Sequence, residues 1–440
     1  MKKFTFLLIL SAIVFVSCNQ SSKSESEMNP FLTNYNTPFN VPPFEKIRNE
    51  HFLPAIKAGI EKQKSEIAAI VNDTAAASFE NTIEALDHSG FLLTEVSSVF
   101  YNLQSAHTND TLQQIAQEAA PLLSEHSDDI LLNEGLFLRI KAVFDNRAAL
   151  NLTKEQEMLL EKTYKRFTRN GALLNKTQKD TLRQINSELS LLSLKFSDNL
   201  LAENNAFELL ITDEADLEGL PKSVRDAAAD AALNAGRESG WLFTLHNPSR
   251  VPFLQYAAKR ELREKVMKAY INRGNNNNES DNKAITSKMV TLRLQRANLL
   301  GYATHADFVL EETMAGTPGV VYDFLNELWV PALANAKKEA AELQKMIDAE
   351  GNNFKLESWD WPYYAEKLRQ QKFAFDEEEL RSYFELNQVL KGMFDVANKL
   401  YGLKFNVLKN VPVYHPEAVV YEVTEPTGEH TGILYMDFHP

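Results

Sequence analysis

Nine histidines are spread along the chain, at His51, His88, His107, His126, His246, His305, His415, His430 and His439. Histidine is the side chain best suited to bind a metal or move a proton near neutral pH. A hydrolytic zinc helix carries the pattern HExxH. Its two imidazoles then share one helical face, and the Glu acts on metal-bound water. No histidine here is followed by Glu, and no two stand four residues apart. His430 and His439 fall in one extended stretch, but nine residues of strand span about 30 Å. They cannot share a metal without a sharp bend. The acidic clusters Glu311-Glu312 and Asp376–Glu379 offer carboxylates without a nearby sequence partner, and the second reads as a helix N-terminus, where carboxylates favour the helix dipole. GxxxxGK[ST] and GxSxG are both absent, so neither a phosphate cradle nor a serine nucleophile elbow has a motif. The stretch "SWDWPYYAEKLRQQKF" (358–373) gathers Trp359, Trp361, Tyr363, Tyr364 and Phe373. It reads first as core, with the wall of a peptide cleft as the functional alternative.

The elements that would position these residues are overwhelmingly helical. In 49–71, Phe52, Ile56, Ile60 and Ile67 form one stripe, with Asn49 as the expected N-cap. Thr153 and Gln156 form a capping box, and Asn170-Gly171 ends that helix. A long helix follows from Lys176 to about Glu203, with Leu182, Ile185, Leu189 and Leu192 at helical spacing. Another carries Ile285, Met289, Leu292 and Leu299 and stops at Gly301. Thr317-Pro318 opens a further helix, and a kink is expected at Pro331. "FELLIT" (207–212) and "GWLFTL" (240–245) read as short strands. "AVVYEVT" (418–424) and "TGILYMDF" (431–438) read as a terminal hairpin. The loop "RGNNNNES" (273–280) is too short for a composition-based role.

The 440 residues carry a net charge of −14 and are 44% hydrophobic. That is a globular chain of more than one domain. The acidic balance, without a basic stripe, argues against nucleic acid as a partner. Lys2 and Lys3 precede an apolar run from Phe4 to Val16, which is followed by Ser17 and the one cysteine, Cys18. This order describes an export signal. "FVSC" resembles a bacterial lipobox, with Phe15 in place of the usual Leu, which makes Cys18 the expected lipidation site. Residues 19–29 are polar and aperiodic and read as a flexible tether. The expected location is the bacterial cell envelope, membrane-tethered and periplasmic or surface-facing.

Several stretches together resemble the M3 family of zinc peptidases, on the side of the dipeptidyl carboxypeptidases and oligopeptidase A. They are "NPFLTNYNTPFNVPPFEKIRNEHFLPAIKAGI" (29–60), "GWLFTLHNPSRVPFLQYA" (240–257), "RELREKVMKAYINRG" (260–274), "RANLLGYATHADFVLEETMAGTP" (296–318), "WDWPYYAEKLR" (359–369), "LRSYFELNQVLKGMF" (380–394) and "VPVYHPEAVVYEV" (411–423). The resemblance implies a mainly α, multi-helical, two-lobed architecture with a few short β-strands, around a channel that admits short unfolded peptides. It implies one zinc ion, held by the two His of HExxH and a Glu, and peptide hydrolysis by metal-activated water. The dipeptidyl carboxypeptidase branch releases C-terminal dipeptides, and internal cleavage is the alternative that the sequence leaves open.

In that family the zinc helix follows the segment matching "YEVTEPTGEHTGILYMDFHP". The expected organisation is therefore a signal at 1–18, a tether at 19–29, a helical region at 30–255 and the opening of a catalytic domain at 256–440. No metal ligand or catalytic Glu transfers onto any residue here, so this chain alone is expected to be inactive. Tyr435, Asp437 and His439 are the substrate-cleft candidates, beside a strand that could pair with extended substrate. The competing expectation is a non-enzymatic peptide-binding envelope lipoprotein.

Overall fold

Apolar residues at helical spacing become buried stripes in the structure, a computed structural model that describes residues 28–374, 380 and 383–438. Cys18, His439 and the Asp376–Glu379 cluster lie outside the described residues. The architecture is mainly α with a few short strands, as the sequence implies.

Helix Asn49–Asn72 buries Phe52, Ile56, Ile60 and Ile67 as expected. Its cap differs from expectation. Arg48 is the extended N-cap, and its N–H donates to His51 Nδ1 at 3.0 Å. Asn49 is already helical, and its side-chain amide donates to Asn109 instead, at 3.1 Å. The preceding Asn29, at the end of the expected tether, is tied down. Its Oδ1 accepts from the Phe31 N–H at 3.1 Å, and its Nδ2 donates to the His51 carbonyl at 2.7 Å.

Helices Phe91–Ala106 and Asp110–Leu131 close over Asn49–Asn72 around Phe52, Phe100 and Val96. Burying each phenylalanine contributes about 2–3 kcal/mol. The first two helices meet closely at Gly59, where a Cβ would stand 2.9 Å from the Leu93 Cα. Next, helices Glu134–Asp145 and Lys154–Arg169 pack Leu136, Ile140, Leu160 and Phe167. The capping box forms: the Gln156 N–H donates to Thr153 Oγ1, and the Thr153 N–H donates to Gln156 Oε1. Gly171 follows at φ +97°, in the left-handed region that ends helices. Helix Lys176–Ala206 then lays Ile185 and Leu189 against Met289 and Leu292 of helix Lys283–Leu299.

The strands β1 (Leu209–Ile211) and β2 (Trp241–Phe243) pair antiparallel. Helices Lys222–Asn234, Asn247–Tyr256 and Arg260–Ile271 cover them around Phe243 and Phe253. Helix Pro318–Ala349 starts at the Thr317 cap as expected and runs continuously through Pro331. Its last turns bury Leu343 and Ile347 against Tyr364 of helix Trp361–Phe373. Of the aromatic cluster Tyr364 is buried core, Trp361 and Tyr363 are half-buried against it, Trp359 is half-buried, and Phe373 is left exposed.

Helix Leu386–Tyr401 leads into a three-stranded antiparallel sheet of β3 (Lys404–Leu408), β4 (Val419–Thr424) and β5 (His430–Met436), in the order β3-β4-β5. The expected hairpin is β4–β5, with Val420 opposite Tyr435. β3 was not anticipated. Its alternation of Lys404, Phe405, Asn406 and Val407 is short and follows a helix directly. Tertiary contact decides it, because Phe405 stacks on Phe394 of that helix at 4.2 Å.

Candidate functional site

The chemistry expected near the C-terminal sheet depends on what surrounds β5. The β4–β5 turn is set by the Gly428 N–H donating to the Glu425 carbonyl at 2.9 Å. The ladder is irregular at Val423/Thr424, which places His430 opposite Thr424. There His430 Nδ1 meets Glu422 Oε1 at 3.1 Å. Its ring stacks on Phe39 with centroids 4.9 Å apart.

Tyr435 and Asp437 point to one face of the strand, as a two-residue spacing dictates. The Tyr435 hydroxyl donates to the Pro412 carbonyl at 2.8 Å. Its ring meets Phe44 edge-on at 5.8 Å. Burial pushes the phenol up to about 12, so it stays a donor at neutral pH. Asp437 Oδ2 accepts from the Tyr414 hydroxyl at 3.1 Å. Burial, followed by the hydrogen bond to Asp437, raises the Tyr414 phenol as well. Tyr435 and Asp437 are thus brought together through Tyr414 and Phe44. Tyr435 is committed to packing beneath the strand rather than left free at its edge. Tyr414, Phe44 and Phe39 escaped the sequence reading, since each acts across a large sequence separation.

A second cluster went unseen in the sequence. Asp360 is fully buried and accepts from Arg260 Nη2 at 2.9 Å and Arg263 Nη2 at 3.1 Å. Arg263, itself 1% exposed, also donates from Nη1 to the carbonyls of Ala257 and Ala258, at 2.7 and 2.9 Å. The Tyr363 ring covers its guanidinium at 4.1 Å. Two positive charges on one carboxylate, with their remaining donors on carbonyls, satisfy a buried ionic group. The cluster joins helix Arg260–Ile271 to the start of helix Trp361–Phe373. A signal was present: Asp360 is a lone charge between Trp359 and Trp361.

Glu311 and Glu312 do have partners, all from helix Lys154–Arg169 and its surroundings. Arg169 Nε reaches Glu311 at 2.8 Å, Lys162 reaches Glu312 at 2.7 Å, and the Tyr302 hydroxyl donates to Glu311 at 2.5 Å. Lys162 and Lys165 hold the Glu312 carboxyl down at about 2. This is a structural ion network that ties the segment around Glu311 and Glu312 to helix Lys154–Arg169.

No group of three or more His, Cys, Asp or Glu among the described residues could hold a metal ion. The nearest approaches are pairs: His430 with Glu422, and His107 with His415 at 5.2 Å between ring centroids. These donor sets do not fit a zinc ion, and no chemical step is derived through one.

Residues 253–440 match the family described as peptidase family M3. The chain is 39% identical over 412 residues to a protein of Escherichia coli (strain K12) named dipeptidyl carboxypeptidase, covering 93% of this chain and 60% of that protein. The chain belongs to peptidase family M3. Oligopeptidase A of Salmonella typhimurium is 32% identical over 415 residues, again covering 93% of this chain and 60% of the relative. Saccharolysin of Saccharomyces cerevisiae is 26% identical over 359 residues, covering 77% of this chain and 49% of the relative. The chain therefore spans about 60% of the length of the first curated relatives it matches. Family M3 peptidases are zinc-dependent in general. The sheet β3-β4-β5 and the Arg260–Arg263–Asp360 cluster both lie within the M3 match.

Proposed function

We propose that this chain is part of a zinc-dependent metallopeptidase that hydrolyses short unfolded peptides, with release of C-terminal dipeptides as its mode. Residues 30–255 supply its N-terminal helical region and 256–440 the opening of its catalytic domain. The observation that carries this reading is the strand β5, inside the M3 match and, among the described residues, hydrogen-bonded to a strand, β4, on one side only. Its outer edge offers alternating N–H and C=O groups to an extended peptide. Tyr435 braces the strand from beneath, and Asp437 just beyond it is held by the Tyr414 hydroxyl. The relatives are named as peptidases, which disfavours the non-enzymatic alternative.

The test is fluorescence anisotropy of the 440-residue chain with a labelled hexapeptide. The expected affinity is on the order of 0.1–1 mM. A backbone N-methylated hexapeptide should bind at least about tenfold more weakly, since it loses its donors to β5. Equal binding of the two peptides sinks the edge-strand reading. Mass spectrometry should find the hexapeptide intact, because HExxH is absent from these residues. Stoichiometric zinc with turnover would overturn that statement.

The order of charged, apolar and small residues at 1–18 supports a lipid anchor on Cys18 and a place at the bacterial cell envelope. Among the described residues no helix is long and apolar enough to cross a membrane. Cys18→Ala should move the protein out of the membrane fraction or stop its maturation. An unchanged membrane fraction would exclude the anchor.

A further inference from the structure

A cavity of about 390 Å³ lies between helices Asp110–Leu131, Lys176–Ala206 and Lys283–Leu299, away from the C-terminal sheet. A buried water occupies about 30 Å³ of liquid volume, so this space exceeds a single structural water. It falls within the roughly 300–1,000 Å³ of small-molecule sites.

Its walls carry charges of both signs. Arg293 and Arg296 stand one turn apart on the third helix and both line the cavity. Neither forms an ion pair among the described residues. Arg296 Nε is buried without an acceptor, and its guanidinium carbon lies 5.4 Å from the centre of the Phe308 ring. Opposite charge comes from Asp128, 5% exposed on the first helix. Asp128 Oδ1 accepts from Asn186 Nδ2 at 2.8 Å, which leaves Asn186 Oδ1 buried with no donor. The hydroxyl-bearing Ser124 and Ser127 also line the cavity, beside apolar wall from leucines such as Leu182 and Leu189. Burial raises the Asp128 carboxyl and lowers the Arg296 guanidinium. Asp128 and Arg296 attract one another and Arg183 adds to the pull on Asp128, but among the described residues no ion pair at contact distance neutralises either Asp128 or Arg296.

We propose that this cavity binds a small zwitterion carrying a free α-carboxylate and a free α-ammonium group, an amino acid or a dipeptide. Arg293 and Arg296 take the carboxylate, a pairing that guanidinium geometry favours. Asp128 and the unpartnered Asn186 Oδ1 take the ammonium. Ser124 and Ser127 supply further donors. This binding does not depend on the peptidase reading, because it needs neither the β5 edge nor a metal.

Isothermal titration of the 440-residue chain with alanine and with alanyl-alanine tests it. Saturable binding is expected with a dissociation constant on the order of 1 mM or tighter. The tighter of the two identifies the source of the zwitterion. N-acetylalanine, which lacks the ammonium, and alaninamide, which lacks the carboxylate, should each bind at least about tenfold more weakly. Arg293→Gln, an exposed position that leaves folding intact by circular dichroism, should weaken alanine or alanyl-alanine about tenfold. Asp128→Asn should abolish the preference for a free ammonium. No saturable heat with either ligand at about 10 mM overturns the proposal. So does binding of acetate or N-acetylalanine equal to that of alanine, or unchanged binding in Arg293→Gln.

Discussion

Phe39 lies flat against His430, with ring centroids 4.9 Å apart and planes 17° from parallel, although the two stand near opposite ends of the chain. The contact is made from a strained backbone. Phe39 and Asn40 both sit in the left-handed region, at φ 58° and 54°. Only glycine adopts that conformation freely. The stacking and the neighbouring packing of Phe44 on Tyr414 and Tyr435 hold the N-terminal segment over the C-terminal sheet. Phe39→Ala is expected to cost about 1 kcal/mol. Asn40→Gly is expected to gain about 0.5 kcal/mol, since it relieves the strain and leaves the ring in place. Urea unfolding midpoints decide both; a lower midpoint for Asn40→Gly would show that the left-handed turn stores no strain.

The Arg260–Arg263–Asp360 cluster makes a stronger demand. Asp360→Asn keeps the shape and removes the negative charge, leaving the buried Arg263 without its counter-ion. Breaking one partner of a buried ionic group costs about 3–5 kcal/mol. Chemical denaturation should show a loss of that order. Arg260→Lys should lose much less, because Arg260 is partly exposed and a lysine can still reach the carboxylate. A near-neutral Asp360→Asn would mean that the triad does not fasten the two helices.

Much of the fold could be read from the chain because its determinants are local. Thr153–Gln156, Asn170-Gly171 and Thr317-Pro318 each mark a helix end within a few residues, and each forms as read. β4 and β5 were legible because a polar turn separates two alternating runs. What stayed hidden depends on distant partners. Glu311 finds Arg169, Asp360 finds Arg263, and Asp437 finds Tyr414 only after folding. β3 was hidden for the same reason, since its pairing with β4 and its packing on Phe394 are tertiary. Membership of family M3 was legible from ordered stretches of sequence, whereas the setting of Tyr435 needed the coordinates.

Two histidines tie stability to pH. His126 is buried, with Nε2 on Gln63 Oε1 at 2.8 Å and Nδ1 without a partner. Burial, then Lys64, lowers its pKa; burial, then Arg296 and Arg293, lowers that of His305. A histidine whose folded pKa lies below its unfolded value of about 6.5 is held neutral by folding. Its contribution is full above that unfolded value and is lost as pH falls toward the folded pKa. Denaturation midpoints should therefore fall when pH is lowered from about 7.5 to about 5. His126→Gln should flatten part of that slope. An equal slope in the variant would assign the pH dependence to other groups.

Helix Leu386–Tyr401 carries Leu386, Val389, Met393, Val396 and Leu400 at alternating spacings of three and four, and all five are exposed. This is the seam pattern by which helices associate. Helix Pro318–Ala349 adds Tyr322, Phe324, Leu325, Leu328 and Trp329, also exposed. Apolar surface of this extent drives association in water. The 440-residue chain should therefore associate with increasing concentration, as followed by sedimentation velocity. Val396→Glu with Leu400→Glu should shift it toward monomer without loss of helicity, because neither side chain belongs to a buried cluster. A chain that stays monomeric at on the order of 100 μM would mean that this stripe is too weak to self-pair.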